Sequence, residues 1–306
     1  MNTNRALKTY VVHNPKSGKA LGDTVHERIV QVMEEHQIPF EIYQTTGKEQ
    51  LHEVVQKAIG RGFERFIAVG GDGTISGVAS GLVNTGLPLV ILPAGTVNAL
   101  ARELGIPFSL EDGAGWWLED CETRKIDVMQ IGERYFLLNI SVGVSAEITR
   151  DVEREDINRL GVLAFIRRAF RDRKKLPSYK FQVTIDDTLT YIRASELMIA
   201  NSGVLLGVKA LQLDPNADLD DARMSVCYAR FRTLLDYMRI ALRVIFSRSE
   251  EQAKMDCMTA LREVRVFSNR PVSVQGDGDK AGMTPVTIKL VPRALHVLAP
   301  VRPEEG

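Results

Sequence analysis

Cysteine is scarce in this chain: Cys121, Cys227 and Cys257 are all it has in 306 residues. They are odd in number, far apart and in no CxxC pair. The sequence therefore points to neither a disulfide framework nor a cysteine zinc site, and a reducing cytosol fits it best. An excess of either charge is also missing, with 39 Lys and Arg against 39 Asp and Glu. That excludes a pull of the whole chain toward nucleic acid or anionic membrane, so any such attraction has to be local. No apolar run reaches the roughly 18 residues of a membrane span. Met1–Leu7 is polar and lacks the apolar core of a signal peptide. Internal repeats and low-complexity tracts are absent, and the five histidines show no zinc spacing. Aromatics do not interleave with cations along the sequence, so nucleic acid is not an expected partner. Two nucleotide signatures are missing as well. Gly18-Lys19 is followed by Ala20, which breaks the Walker pattern. After Gly71 and Gly73 the next glycine is Gly77, which breaks GxGxxG.

What is present is a chain that is 44% hydrophobic, enough for real cores, and long enough for two domains. The apolar run Phe66–Val69 predicts a buried strand. It runs into Gly70-Gly71-Asp72-Gly73-Thr74 and then a helical pattern from Ile75 to Leu82. Glycines allow close approach to the backbone, and a helix starting there aims N–H groups and a positive dipole end into the turn. That describes a phosphate cradle. Asp72 would repel phosphate unless a cation stands between them or the carboxylate handles a proton; alternatively it caps a helix.

Before and after this turn the pattern is β-α with short connections. Strands are expected at Leu7–His13, Phe40–Thr45 and Leu87–Leu92. Helices are expected after a Thr24–Glu27 capping box, over Leu51–Ile59, from Asn98 to Leu104, and from a Ser109–Asp112 cap to about Asp120. This predicts a doubly wound, Rossmann-like parallel sheet over residues 1–125, with a return of 294–306 to it left open. Three polar loops, Asn14–Lys19, Gly70–Thr74 and Pro93–Asn98, each follow a predicted strand. Such loops share one edge of a parallel sheet, so Lys19, Asp72, Thr74, Thr96 and Asn98 can converge.

From about Arg124 the rhythm changes. Short strands are predicted at Lys125–Gln130, Tyr135–Ile140, Tyr179–Ile185, Thr190–Ala200, Met224–Arg230, Glu263–Phe267, Val272–Gln275 and Val286–Leu290. Residues 126–293 thus read as an antiparallel β-sandwich with inserted helices. One such helix has Leu163, Ile166 and Phe170 on one face and Arg168, Arg171 and Lys175 on the other; the stretch Arg159–Lys175 holds seven basic residues and one acidic, which reads either as a solvated face or as added attraction to an anionic membrane surface. A second, around Leu234–Ile245, reads as core-facing with a solvated arginine face.

Asn14-Pro15-x-Ser17-Gly18-Lys19, Gly70-Gly71-Asp72-Gly73-Thr74 and Leu92-Pro93-x-Gly95-Thr96-x-Asn98 together resemble the diacylglycerol kinase catalytic domain family, which includes the sphingosine and ceramide kinases. The likeness continues through Ile126-Asp127-Val128, Pro215-x-Ala217-Asp218-Leu219-Asp220-Asp221 and Asp277-Gly278-Asp279. It implies a two-domain fold, ATP with Mg²⁺ as cofactor, and a membrane lipid, diacylglycerol or a relative, as phosphoryl acceptor. It also implies a cytoplasmic enzyme in transient contact with the membrane surface; a homodimer is left open. The chain departs from the family's pattern at Ala99, where many bacterial members have aspartate; at Ala222, for glycine; and at Asp279, for the expected catalytic glutamate. The segment Asn201–Leu211 also lacks the expected glycines.

On this reading Asn14, Ser17, Lys19, Gly71, Gly73, Thr74, Gly95, Thr96 and Asn98 bind the nucleotide, with Asn98 alternatively capping a helix. Asp72 and Asp127 order Mg²⁺, with a hinge hydrogen bond as the other role for Asp127. Asp218 and Asp221 hold a structural cation or form a plain acidic turn. Asp279 is the general base, with Asp277 second in line, or else a turn residue. A nucleotide-binding regulator without turnover and an NAD kinase are the rival readings.

Overall fold

The computed structural model describes residues 7–17, 22–108, 114–119, 121–146, 176–202, 217–230 and 256–301. The chain divides into two compact units, Met1–Val128 with Pro292–Gly306, and Met129–Val291.

In the first unit β1 (Thr9–His13) leads to α1 (Gly22–Glu35), β2 (Phe40–Gln44), α2 (Leu51–Gly60), β3 (Arg65–Gly70), α3 (Asp72–Leu82), β4 (Pro88–Pro93) and α4 (Ala99–Glu103). Every position of β1 and β3 is buried, as in parallel strands covered on both faces. The pairings Thr9↔Phe40, Thr9↔Arg65 and Phe66↔Leu89 are all parallel. A late strand, β16 (Val286–Pro300), returns to pair in parallel with β4 through Val297↔Leu89. The order is β2-β1-β3-β4-β16. The chain steps outward from β1 to β2, then back across to β3. Strand order therefore reverses between the ends of β1 and β3, where open α/β sheets bind ligands.

Two elements begin or end elsewhere than the sequence suggested. α1 starts at Gly22, ahead of the Thr24–Glu27 pair. Only a single 3₁₀ turn, Trp116–Leu118, is described in the stretch after Ser109; the Ser109–Asp112 cap lies outside the described residues. α3 rests close on α2. A Cβ added to Gly81 would stand 2.6 Å from Cβ of Val55, and one on Gly77 3.0 Å from Cβ of Leu51. Nε2 of Gln56 donates to the Gly81 carbonyl at 2.6 Å, so the helix carrying Asp72 is held along its length.

β5 (Cys121–Ile131), like β16, runs from one unit into the other. The second unit adds β6 (Arg134–Phe136), β7 (Asn139–Gly143), β8 (Tyr179–Ile185), β9 (Thr188–Ala194), β10 (Glu196–Ala200), β11 (Met224–Ala229), β12 (Asp256–Ala260), β13 (Glu263–Ser268), β14 (Ser273–Gly276) and β15 (Asp279–Met283). One sheet runs β12-β11-β10-β7-β14-β15; β9, β8, β13 and the start of β16 pair side by side as another. β8 alternates buried and outward residues, and Phe181, Val183, Ile140, Val142, Leu197, Val226, Val264 and Ile288 share one core. The expected strand Thr190–Ala200 is in fact two, β9 and β10, in different sheets, divided at Ser195. The inward apolar positions shift from Ile192 and Ala194 to Leu197 and Ile199, a one-residue change of phase at Ser195 that marks the division.

Cys227 and Cys257 form a disulfide, which the sequence gave no reason to expect. The antiparallel pairing of β11 with β12 sets them opposite each other across 30 residues of chain. The helices expected at Arg159–Lys175 and Leu234–Ile245 lie outside the described residues.

Candidate active site

The three loops expected to converge are joined by hydrogen bonds within the first unit. The Asn14 N–H donates to the Val69 carbonyl at 2.9 Å, and its Nδ2 donates to Oγ1 of Thr74 at 3.2 Å. Oδ1 of Asn14 accepts the Lys16 N–H, and the Ser17 N–H closes the turn onto the Asn14 carbonyl. The first loop is thereby tied to the second. The second meets the third where Gly71 lies against Gly95: a Cβ on Gly95 would stand 2.5 Å from Cα of Gly71. No side chain fits at Gly95, and one at Gly71 would be tight, 3.3 Å from Cα of Gly95.

Asp72 completes the joint. Its Oδ2 accepts the Asn98 N–H at 2.9 Å and its Oδ1 the Ala99 N–H at 2.6 Å. Asp72 opens α3, and with the same carboxylate it caps α4, a helix from another loop. Both contacts suit an anion at a helix N-terminus. Asn98 sits in the left-handed region with φ +48, buried; its Oδ1 accepts the Gly95 N–H and its Nδ2 donates to the Gly95 carbonyl. The Asn98 side chain thus clasps its own loop. Thr74 is buried, Gly73 and Thr96 are exposed, and a Cβ on Gly73 would meet nothing within 4 Å. Open space therefore lies over Gly73 in the first turn of α3; the Thr74 and Ile75 N–H groups close onto the Gly71 carbonyl, and those of Asp72 and Gly73 stand ahead of the helical ladder. Lys19 lies outside the described residues.

The buried Asp127 accepts the Arg293 N–H at 2.7 Å through Oδ1 and ties β5 to β16 within the first unit. Sequence reasoning missed His13, which ends β1 beside the first loop. It is buried, with its Nδ1 unpartnered and its ring stacked on His26 at 6.0 Å. Burial, then the charge of His26, lowers its pKa.

In the second unit Asp277 and Asp279 are unlike each other. Oδ2 of Asp277 accepts the Leu137 N–H at 2.5 Å, and Oδ1 those of Leu138 and Asn139 at 3.0 and 3.1 Å. Asp277 and Gly278 form the two-residue turn of β14–β15 with φ +49 and +86. Gly276 is pressed on Phe136: a Cβ there would stand 2.2 Å from a ring carbon. Asp277 therefore bolts the hairpin to the β6–β7 connection, and its exposed neighbour Asp279 begins β15. Nδ2 of Asn201 donates to the Leu137 carbonyl at 2.9 Å and holds the same bend. The Asp-Gly pair between strand-like segments was the available sign of this turn.

Asp218 and Asp221 lie in an acidic turn whose oxygens serve its own backbone. Asp221 accepts the Asp218 and Arg223 N–H groups, and Asp218 accepts that of Leu219. Ala222 takes φ +57 there, where glycine would be unstrained. Among the described residues no group of three or more His, Cys, Asp or Glu is arranged to hold a metal. Asp72 supplies a carboxylate beside the open space over Gly73, and one or two carboxylates are what Mg²⁺ carried by phosphates needs from a protein.

A parallel α/β unit with three polar loops locked together at its strand-order reversal, and a second, antiparallel β unit in the same chain, define the class of protein; comparison with known proteins defines the family. The model described as "Diacylglycerol kinase catalytic domain" matches residues 8–131, and "YegS C-terminal NAD kinase beta sandwich-like domain" matches 139–299. An uncharacterized protein of Synechocystis is 30% identical over 310 residues, covering 95% of this chain and 70% of that one. A protein named diacylglycerol kinase from Bacillus subtilis is 25% identical over 293 residues, covering 95% of both. A crystal structure of a diacylglycerol kinase from Bacillus anthracis shares the fold, with a TM-score of 0.75 at 20% identity over 95% of this chain and 96% of that one. The chain belongs to the diacylglycerol kinase family, with the YegS-type C-terminal domain.

Proposed function

We propose that this protein is an ATP- and Mg²⁺-dependent lipid kinase that transfers the γ-phosphoryl group to the hydroxyl of a membrane lipid of the diacylglycerol class. The observation that carries this reading is the locked trio of loops, with open space over Gly73 and Asp72 at its rim. Family membership and the names of the relatives supply the lipid. Phosphoryl transfer requires alignment and charge neutralisation more than covalent chemistry. The N–H groups opening α3 and the side chains of Asn14, Ser17, Thr74 and Thr96 would align the phosphates, with Lys19 as a point charge. Asp72 would hold Mg²⁺ or its waters, and the ion would neutralise phosphate charge. Asp279 would take the proton from the lipid hydroxyl as its oxygen bonds to the γ-phosphorus and the bond from that phosphorus to the bridging oxygen breaks, releasing ADP. Asp277 is not free for that work, since its oxygens already accept three N–H groups.

The departure at Ala99 leaves the contact with Asp72 in place. Ala99 serves Asp72 through its backbone N–H, which any residue but proline provides. Asp279 is the departure that favours a second reading, a nucleotide-binding regulator without turnover, because a carboxylate one methylene short can miss its proton.

The test is transfer of labelled γ-phosphate from ATP to diacylglycerol, monoacylglycerol, ceramide, sphingoid base and phosphatidylglycerol in micelles, with NAD as a further acceptor. Transfer to one lipid, lost in Asp279→Asn and kept in Asp279→Glu, is the expected result. Thermal stabilisation by ATP with no lipid labelled would mark the regulator. Labelled NAD alone would mark a NAD kinase.

A further inference from the structure

The chain is neutral as a whole, yet one sheet face of the second unit is not. Burial alternates along β8, and Phe181 and Val183 point to the core. Lys180 and Gln182 therefore face outward, and the register brings their partners to the same side. Gln182 lies between Tyr191 on β9 and Phe267 on β13. Leu189, two residues along β9, stands beside Tyr191. These three large apolar side chains are 70% (Tyr191), 52% (Phe267) and 53% (Leu189) exposed. Around them, Lys180 stands opposite Arg193, and Arg265 and Lys289 occupy outward positions on β13 and β16; Arg265 is paired with the Glu263 carboxylate and Asp187, at the β8–β9 turn, with Arg262, so Lys180, Arg193 and Lys289 carry the excess positive charge. Like charges set directly across a strand pair, as Lys180 and Arg193 are, cost free energy in water.

We propose that this face docks on the surface of an anionic lipid bilayer. Phosphate headgroups would relieve the Lys180–Arg193 repulsion, while Tyr191, Phe267 and Leu189 reach toward the acyl boundary. A second copy of the chain fits less well. A two-fold contact through this face sets Lys180 and Arg193 against like charge. Single-stranded RNA fits less well too, because Leu189 offers no ring on which a base can stack. The proposal shares with the lipid-kinase reading only the premise that the acceptor resides in a bilayer. Binding is measured without nucleotide, so each can fail alone.

The experiment is sedimentation of the full-length protein with vesicles of phosphatidylcholine alone and of phosphatidylcholine with phosphatidylglycerol. The protein is expected to follow the anionic vesicles and to be released by salt. Lys180→Ala with Arg193→Ala should lower the partition coefficient roughly 25-fold, about fivefold for each cation removed. Tyr191→Ser with Phe267→Ser should also weaken binding, with the melting temperature of both variants near that of the unaltered protein. Should one variant melt early, the other and the salt dependence still decide. Equal binding by the unaltered protein and both variants overturns the proposal, as does no binding to anionic vesicles. Loss of self-association in the variants without vesicle binding, or displacement from vesicles by an RNA oligonucleotide, also overturns it.

Discussion

Asp72 shows how much one carboxylate can carry. Its two oxygens accept N–H groups from Asn98 and Ala99, so it holds two loops together besides facing the open space over α3. Sequence reading alone suggests that Asp72→Asn would spare stability. The geometry reverses that expectation. An amide has one acceptor oxygen, and its NH₂ would confront the second N–H. Asp72→Asn should cost about 1–3 kcal/mol, read as a lower urea midpoint, and should also abolish phosphoryl transfer. If the folded variant turns over normally, Asp72 is a cap and nothing more. His13 supports a pH prediction. Burial lowers its pKa below the ordinary 6.5, so the folded state resists its protonation while the unfolded chain does not. Its contribution to stability is therefore full above 6.5 and lost as the pH falls below that value. The urea midpoint should drop on that acid side, and His13→Phe, which cannot protonate, should flatten that part of the slope.

At the scale of elements, the β14–β15 hairpin sets neighbouring aspartates to different tasks. Asp277→Asn leaves at least one of three N–H groups unmatched and should lower stability by about 1–3 kcal/mol. Asp279→Asn, on an exposed side chain, should change stability by no more than about 0.5 kcal/mol while removing activity. Equal melting of the two variants would show that Asp277 does not bolt the hairpin. The β11–β12 pair carries the Cys227–Cys257 bridge across 30 residues. A loop of that length predicts about 3–4 kcal/mol of stabilisation. Reductant should remove it from the unaltered protein and have no effect on Cys257→Ser. Two free thiols at these positions in the native protein, found by alkylation and mass, would refute the bridge. These features escaped sequence reading for one reason. Asp277 meets Leu137, and Cys227 meets Cys257, only because strands far apart in sequence lie side by side.

At the scale of the whole molecule, local chemistry and tertiary arrangement divide the work. The sequence by itself determined that β-α units precede antiparallel strands, and that three polar loops follow strands of the first part. Periodicity, glycine and turn chemistry are properties of neighbours along the chain. It also determined the family, because an ordered set of motifs survives without any knowledge of contacts. The tertiary structure decided which backbone groups several of these side chains meet. It assigned Asn98 to its own loop, Asp277 to a turn and Asp127 to the Arg293 backbone, and left Asp279 exposed. It also gathered Lys180, Arg193, Tyr191 and Phe267 onto one face. The physical reason is the same in each case. A carboxylate's role depends on which N–H groups stand within hydrogen-bond reach, and a patch depends on strand register; both are set by the packing of distant segments.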